Sequence, residues 1–349
     1  MIKLFHPYIS WWAIWKVLKV LIPGKQLAEG PLVKQFEKEF SKKFNVSNVI
    51  AVNSGTSALE LAYELAEIKK GDEVITPVLT CTATNIPLIR REAKIVFADI
   101  TKNLNIDIED VKKKITKKTK AIIFVHFGGN NIGLKDILQI ARSKNIKVIE
   151  DAAQAIGSSY WGKADFTAIS FQAIKTLTTG DGGMLICKNK KDYEKAKRLR
   201  WFGYDREKKH QLGDIDLKEA GYKYHMNDIT AAIGLGNLRS IDKVLDHRNK
   251  LAKIYASYGF LVLRWLICGF TDNLSSTGQF YASRGIEIGQ HHYRNDKYMV
   301  FGGKRENLSM MNKIENNYFF VPYHHKVSEK QAHYIGKLYK KIHESINKK

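Results

Sequence analysis

The chain has 349 residues, 44% of them apolar, enough for one large core or two domains and too apolar for a disordered chain. No run approaches the ~20 apolar residues of a membrane-spanning helix, and three cysteines (Cys81, Cys187, Cys268) without a CxxC pair give neither a disulfide framework nor a zinc ribbon. A formal net charge of +22 could suit nucleic acid, but the lysines are scattered through linkers and helix faces with no helix-turn-helix, zinc finger or aromatic-basic platform, so a solvated face is the better reading, compatible with a modest attraction for polyanionic small substrates.

In chain order, the opening "MIKLFHP" lacks the features of a cleavable secretory leader, so a cytoplasmic location is expected. The following "WWAIWKVLKVLIP" is interrupted by Lys16 and Lys19 and reads as an amphipathic helix packed on the body or on a partner chain. Because Trp and Lys together suit interfaces, a membrane-surface position is its second reading. From residue 50, β-branched runs alternate with helical patterns: "NVIAVN", "SALELAYELAEI", "DEVITP", "AKIVFADI", "KAIIFVHF", "KDILQIARSKN", "KVIED", "TAISF" and "GMLIC". That alternation predicts a mostly parallel sheet covered on both faces, with ligands at the carboxyl ends of its strands. Residues 219–247 contain a helix starting at Asn227 or Asp228, in which Gly234 and Gly236 cost propensity and imply close packing. From about residue 250 a smaller α+β domain is expected, with "RGIEIGQHHYRN" as a strand and loop. The pairs His291-His292 and His324-His325 are adjacent residues that point in different directions, so no metal site is expected.

Within "AISFQAIKTLTTGDGGMLI", Lys175 stands with no other charge until Asp181. A lone lysine between a strand and a Gly-rich turn is either accidental or chemical. "KVIED" ends on Asp151. In "VNSGTSALELA" a strand meets a turn and a helix start at Gly55, Thr56 and Ser57, which is either a plain N-cap or an anion site made of backbone N–H groups and hydroxyls. A lysine to form a Schiff base, an aspartate to pair with a pyridinium nitrogen and a terminus to take a phosphate are together the parts needed to hold pyridoxal phosphate (PLP).

The ordered stretches "GPLVKQFEKEFSKKF", "NSGTSALELA", "GDEVITPVLTCTATN", "EDAAQAIGSSY", "SFQAIKTLTTGDGGML" and "GYKYHMNDITAAIGLGNL" resemble the DegT-like PLP-dependent nucleotide-sugar aminotransferases over about residues 20–247, with a looser match in "RGIEIGQHHYRND". The resemblance implies an α/β protein of PLP fold type I: a large domain (1–247) with a mostly parallel seven-stranded sheet covered by helices, and a small C-terminal α+β domain (248–349). It makes Lys175 the Schiff-base lysine and Asp151 the partner of the pyridine nitrogen. Gln154 would contact the ring hydroxyl, and Gly55, Thr56 and Ser170 would bind the phosphate. Asn227 would be contributed to the neighbouring subunit's phosphate site, which implies a homodimer with shared active sites. The implied reaction passes an amino group from an amino acid, usually glutamate, to the cofactor and then to a 3- or 4-keto group of a nucleotide-linked deoxysugar, in a surface-polysaccharide context.

The chain departs from that pattern in places. Cys81 stands near where many relatives stack an aromatic residue on the cofactor ring, and Gln172 where a histidine is common. The segment after Ala256, with its apolar "YGFLVLRWLICGF", is read as shortened near 257–275. This leaves two other readings: a decayed, non-catalytic PLP-binding or regulatory homologue, and a sugar dehydratase of the same fold. Dehydratases carry a histidine in place of the lysine, and Lys175 is present.

Overall fold

The computed structural model describes residues 1–23, 27–28, 30–205 and 217–346. Ser10 starts helix α1 (Trp11–Leu21) by accepting the Ala13 N–H on its hydroxyl at 3.1 Å. Helix α2 (Pro31–Phe44) opens on a proline, whose missing N–H is not needed in a first turn, and stops at Asn45, whose φ of 52° closes the end.

Seven strands then form one sheet: β1 (Val49–Val52), β2 (Glu73–Pro77), β3 (Lys94–Ala98), β4 (Thr119–Val125), β5 (Lys147–Asp151), β6 (Phe166–Ser170) and β7 (Gly183–Cys187). Their order is β1-β7-β6-β5-β4-β2-β3, and only β7 runs against its neighbours. Parallel neighbours need long crossovers, and helices α3 (Gly55–Leu65), α4 (Thr82–Arg90), α5 (Ile108–Lys114) and α6 (Leu134–Ser143) lie in four of the connections. β6 and β7 are antiparallel, so a short loop suffices between them, and that loop carries Lys175.

Side chains alternate between two cores, as strand geometry requires. Ile50 and Val52 join Leu61 and Tyr63 of α3 on one face, whereas Val49 and Ala51 join Phe36 and Phe40 of α2 on the other. After α7 (Lys190–Leu199), helix α8 (Asp228–Leu238) adds Ala231 and Leu235 to that second core. Its glycines are explained by crowding: a Cβ on Gly234 would lie 2.7 Å from the Phe36 ring, and one on Gly236 would lie 2.3 Å from the Ala13 backbone. Both neighbouring helices approach α8 more closely than any side chain there would allow.

Helix α9 (Ile241–Ser257) runs unbroken through the boundary expected at 247/248, so the chain enters its C-terminal part as helix. There the apolar run "YGFLVLRWLICGF" folds as a hairpin of β8 (Leu261–Leu263) and β9 (Leu266–Phe270), and β10 (Tyr318–Phe320) adds a third antiparallel strand. With α9, α10 (Leu274–Ala282) and α12 (Glu329–Ile346) it encloses Leu251, Tyr255, Phe319, Ile335 and Leu338, while Leu263, Trp265, Leu266 and Cys268 on its other face join the core of the large sheet; burial on both faces accounts for the hydrophobicity of the hairpin. Helix α11 (Ser309–Ile314) is pinned to the large sheet by Asp99, whose carboxylate accepts the Met310 and Met311 N–H groups at 2.8 and 3.0 Å. The strand expected in "RGIEIGQHHYRN" is reduced to three single bridges, Ile286 with Ile2, Gly289 with Phe320 and Arg294 with Leu79. Among the described residues no helix is long and apolar enough to cross a membrane.

Candidate active site

Seven of the eight expected residues, Gly55, Thr56, Cys81, Asp151, Gln154, Ser170 and Lys175, line one cavity of about 410 Å³ at the carboxyl ends of β4, β5 and β6. A somewhat larger cavity, about 490 Å³, lies beside Val33, Lys34, Arg198 and Trp201 and contains none of them. Asn227 is elsewhere: it caps α8, accepting the Thr230 N–H at 2.9 Å, and is exposed to solvent.

Lys175 sits on a tightly bonded loop. The Phe171 N–H donates to the Gly182 carbonyl and the Thr179 N–H to the Phe171 carbonyl, while the Thr178 hydroxyl donates to that same carbonyl at 3.0 Å. Asn237 of α8 clamps the loop from outside by donating to the Thr178 carbonyl at 2.8 Å. The loop can return into β7 only through glycine, since a Cβ on Gly183 would lie 2.3 Å from the Ser54 carbonyl oxygen. Burial pushes the Lys175 amine down to about 8, against the attraction of Asp151. Near neutral pH a useful fraction of the amine is therefore uncharged.

Asp151 ends β5 and is buried; one carboxylate oxygen accepts the Thr84 hydroxyl at 2.7 Å and the other the Ala153 N–H at 3.2 Å. On the far side, α3 begins at the cavity with Ser54 as its cap. A Cβ on Gly55 would lie 2.7 Å from that of Ser170, so the helix terminus and the Ser170 hydroxyl meet with no side chain between them. The first N–H groups of a helix have no partners within it and carry its positive pole. Cys81 caps α4 at the cavity wall, and burial raises its thiol above the usual range, so it stays protonated. Gln154 is held at both ends: its carbonyl accepts the Gly128 N–H at 2.6 Å and its amide donates to Nε2 of His292 at 3.2 Å.

Three contributors were not expected from the sequence. Trp265, at the β8–β9 turn, lies over the Lys175 amine, 4.4 Å from Nζ to the ring centroid. Its signal in the sequence was one aromatic residue in a run noted only for hydrophobicity. His291 and His292 line the cavity itself, with ring centroids 3.9 Å apart. Burial, reinforced by the Lys175 charge, holds His291 at about 3, and burial, His291 and Lys175 hold His292 well below the usual range. Both are neutral rings that can face a polar ligand without adding charge. Among the described residues no group of three or more His, Cys, Asp or Glu side chains could hold a metal ion.

A partly neutral lysine, a buried strand-end carboxylate and a helix-terminal anion site around one cavity in a sheet of this order define a protein of PLP fold type I. The chain belongs to the DegT/DnrJ/EryC1/StrS aminotransferase family, whose description matches residues 13–259, and is a PLP-dependent aminotransferase. It is 32% identical over 332 residues to the GDP-perosamine synthase of Vibrio cholerae, covering 92% of this chain and 86% of that one. It is 38% identical over 260 residues to the spore coat polysaccharide biosynthesis protein SpsC of Bacillus subtilis, covering 71% of this chain and 67% of that one. Among solved structures, Spr1654 of Streptococcus pneumoniae in its PMP form superposes with a TM-score of 0.89 at 27% identity, over 98% of this chain and 99% of that one. The residues present fit the cofactor: the cavity volume is that of a small-molecule site, and its wall carries the start of α3 and the Ser170 side chain together with Lys175 and Asp151.

Proposed function

We propose that this aminotransferase moves an amino group from an amino acid, glutamate by resemblance, to a keto group of a nucleotide-linked deoxysugar destined for a surface polysaccharide. The carrying observation is that Lys175 and Asp151 line one cavity together with Gly55 and Thr56 at the start of α3. The names of the Vibrio and Bacillus relatives support the sugar and the polysaccharide context.

In this reading Lys175 covalently holds PLP, which supplies an aldehyde that captures amines and a ring that withdraws electrons. Once the donor amine had taken its place, the freed Lys175 amine would move the proton from the donor's Cα to the cofactor and, in the second half-reaction, from the cofactor to the sugar carbon. Asp151, oriented by Thr84, keeps a proton on the ring nitrogen. Gly55, Thr56 and Ser170 would take the phosphate, Gln154 would bond the ring hydroxyl, and Cys81 would border the ring. Asn227 reaches the phosphate site of a second copy, giving a homodimer with shared sites. We also propose two working units, 1–247 and 248–349, with His291 and His292 of the second lining the cavity.

The test is the absorbance spectrum of the PLP-loaded protein before and after excess glutamate. Bleaching of the visible band with growth of the pyridoxamine band is expected, and Lys175→Ala should carry no lysine-bound band. A band unchanged by glutamate rules out glutamate as donor; if no amino acid bleaches it, the chain is a binding protein without transamination.

A further inference from the structure

Helix α1 is more apolar outside than inside. Its buried side is Ala13 and Val20, set against α8, while Trp11, Ile14, Trp15, Leu18, Leu21 and Ile22 are exposed, Trp11 by 77% and Ile22 by 80%. At ~100° per residue these six side chains share an arc about 120° wide. A helix apolar all round belongs in an interior, yet among the described residues this arc faces none. Its edge is cationic: Lys19 lies over the Trp15 ring at 3.4 Å and the Arg239 guanidinium over the Trp12 ring at 3.7 Å. Lys16 is on the same edge, and the chain has no acidic residue before Glu29.

We propose that α1 docks the enzyme on an anionic lipid surface. The helix lies flat against the body with its apolar arc outward, the orientation an interfacial helix takes when aromatic and aliphatic side chains enter the headgroup boundary and flanking lysines meet lipid phosphates. The charge argues against a second copy as occupant. A two-fold contact whose axis passes through α1 would pair this face with itself and press lysine edges together with no acid on α1 to offset them.

The experiment is flotation of the PLP-loaded enzyme with phosphatidylcholine vesicles, with and without about 30 mol% phosphatidylglycerol, at about 0.1 M salt. Binding to the anionic vesicles is expected, with a blue shift of tryptophan fluorescence, and it weakens at about 0.5 M salt as charge is screened. Lys16→Gln with Lys19→Gln should weaken it roughly 10- to 30-fold. Trp11→Ser, Trp15→Ser and Leu18→Ser together should abolish it while leaving the cofactor band and aminotransferase activity in solution unchanged, which shows that the variant is folded. No flotation of the wild type with anionic vesicles, or equal flotation of the triple variant, overturns the proposal. So does a triple variant that loses a self-association present in the wild type, because α1 would then face another copy.

Discussion

Asp151→Asn should move two observables in opposite directions. Capture of PLP needs the neutral Lys175 amine, and with the amine at about 8 roughly a tenth of it is neutral at pH 7. The Asp151 charge is among the causes holding that value up against burial, and an adjacent opposite charge is worth ~1–3 units. Without it the amine should fall to about 7 or below, making about half of it neutral at pH 7 and the capture about fivefold faster. Transamination should meanwhile drop by at least ~100-fold, the scale of losing a placed electrostatic partner. The assay is stopped-flow absorbance of apo-protein mixed with PLP from pH 6 to 9.5, followed by a glutamate half-reaction. The wild-type capture rate should climb tenfold per unit below about 8 and level above it. A midpoint that rises in the variant, or stays in place, would refute the placement of Asp151 as the lysine's charge partner.

Other expectations rest on separate parts of the molecule. Gly55→Ala puts a methyl 2.7 Å from the Ser170 Cβ and should weaken PLP binding at least ~10-fold in an absorbance titration; unchanged affinity would move the phosphate elsewhere. The fully buried Glu150 is bonded to His126 Nε2 at 2.7 Å and to the Gly162, Lys163 and Ala164 N–H groups. Burial pushes its carboxyl up, but these partners outweigh that and hold it below the usual carboxylate range. The depressed value makes its stabilisation present above the ordinary carboxyl pKa and lost as pH falls through the folded one. Urea melts of Glu150→Ala should therefore show a loss of about 3–5 kcal/mol at pH 7 that narrows in acid, and a gap independent of pH would contradict the network. Gly236→Ala forces α1 away from α8, since its Cβ would lie 2.3 Å from the Ala13 backbone, and should cost about 1–3 kcal/mol in a thermal melt. An unchanged melt would mean that α1 is not packed as described.

Lys175 and Asp151 were legible in the sequence because each breaks a local pattern: a charge alone in an apolar stretch, and a carboxylate ending a strand that must be buried. The Gly55–Ser57 turn was legible because strand, glycine and hydroxyls occur together. Trp265, His291 and His292 were not, since they lie 90 or more residues beyond Lys175 and their meeting depends on how the β8–β9 hairpin lands on the sheet. The Trp265 N–H donates to the Gly128 carbonyl at 2.5 Å, a contact that no periodicity announces. The run containing Trp265 suggested a trimmed segment; folded, its two halves pair, with Val262 and Ile267 packed in the cluster of α9 and α12 and Leu263, Trp265, Leu266 and Cys268 in the core of the large sheet.

By itself, the sequence determined the order of strands and helices, the parallel character of the sheet and the local chemistry of each motif, because these follow from side-chain period, turn residues and neighbours a few positions away. Only the tertiary structure decided that seven motif residues share one cavity, that burial lowers a lysine to about 8, and that α1 turns its larger apolar face outward. Those depend on which surfaces exclude water together, a property of packed elements far apart in the chain.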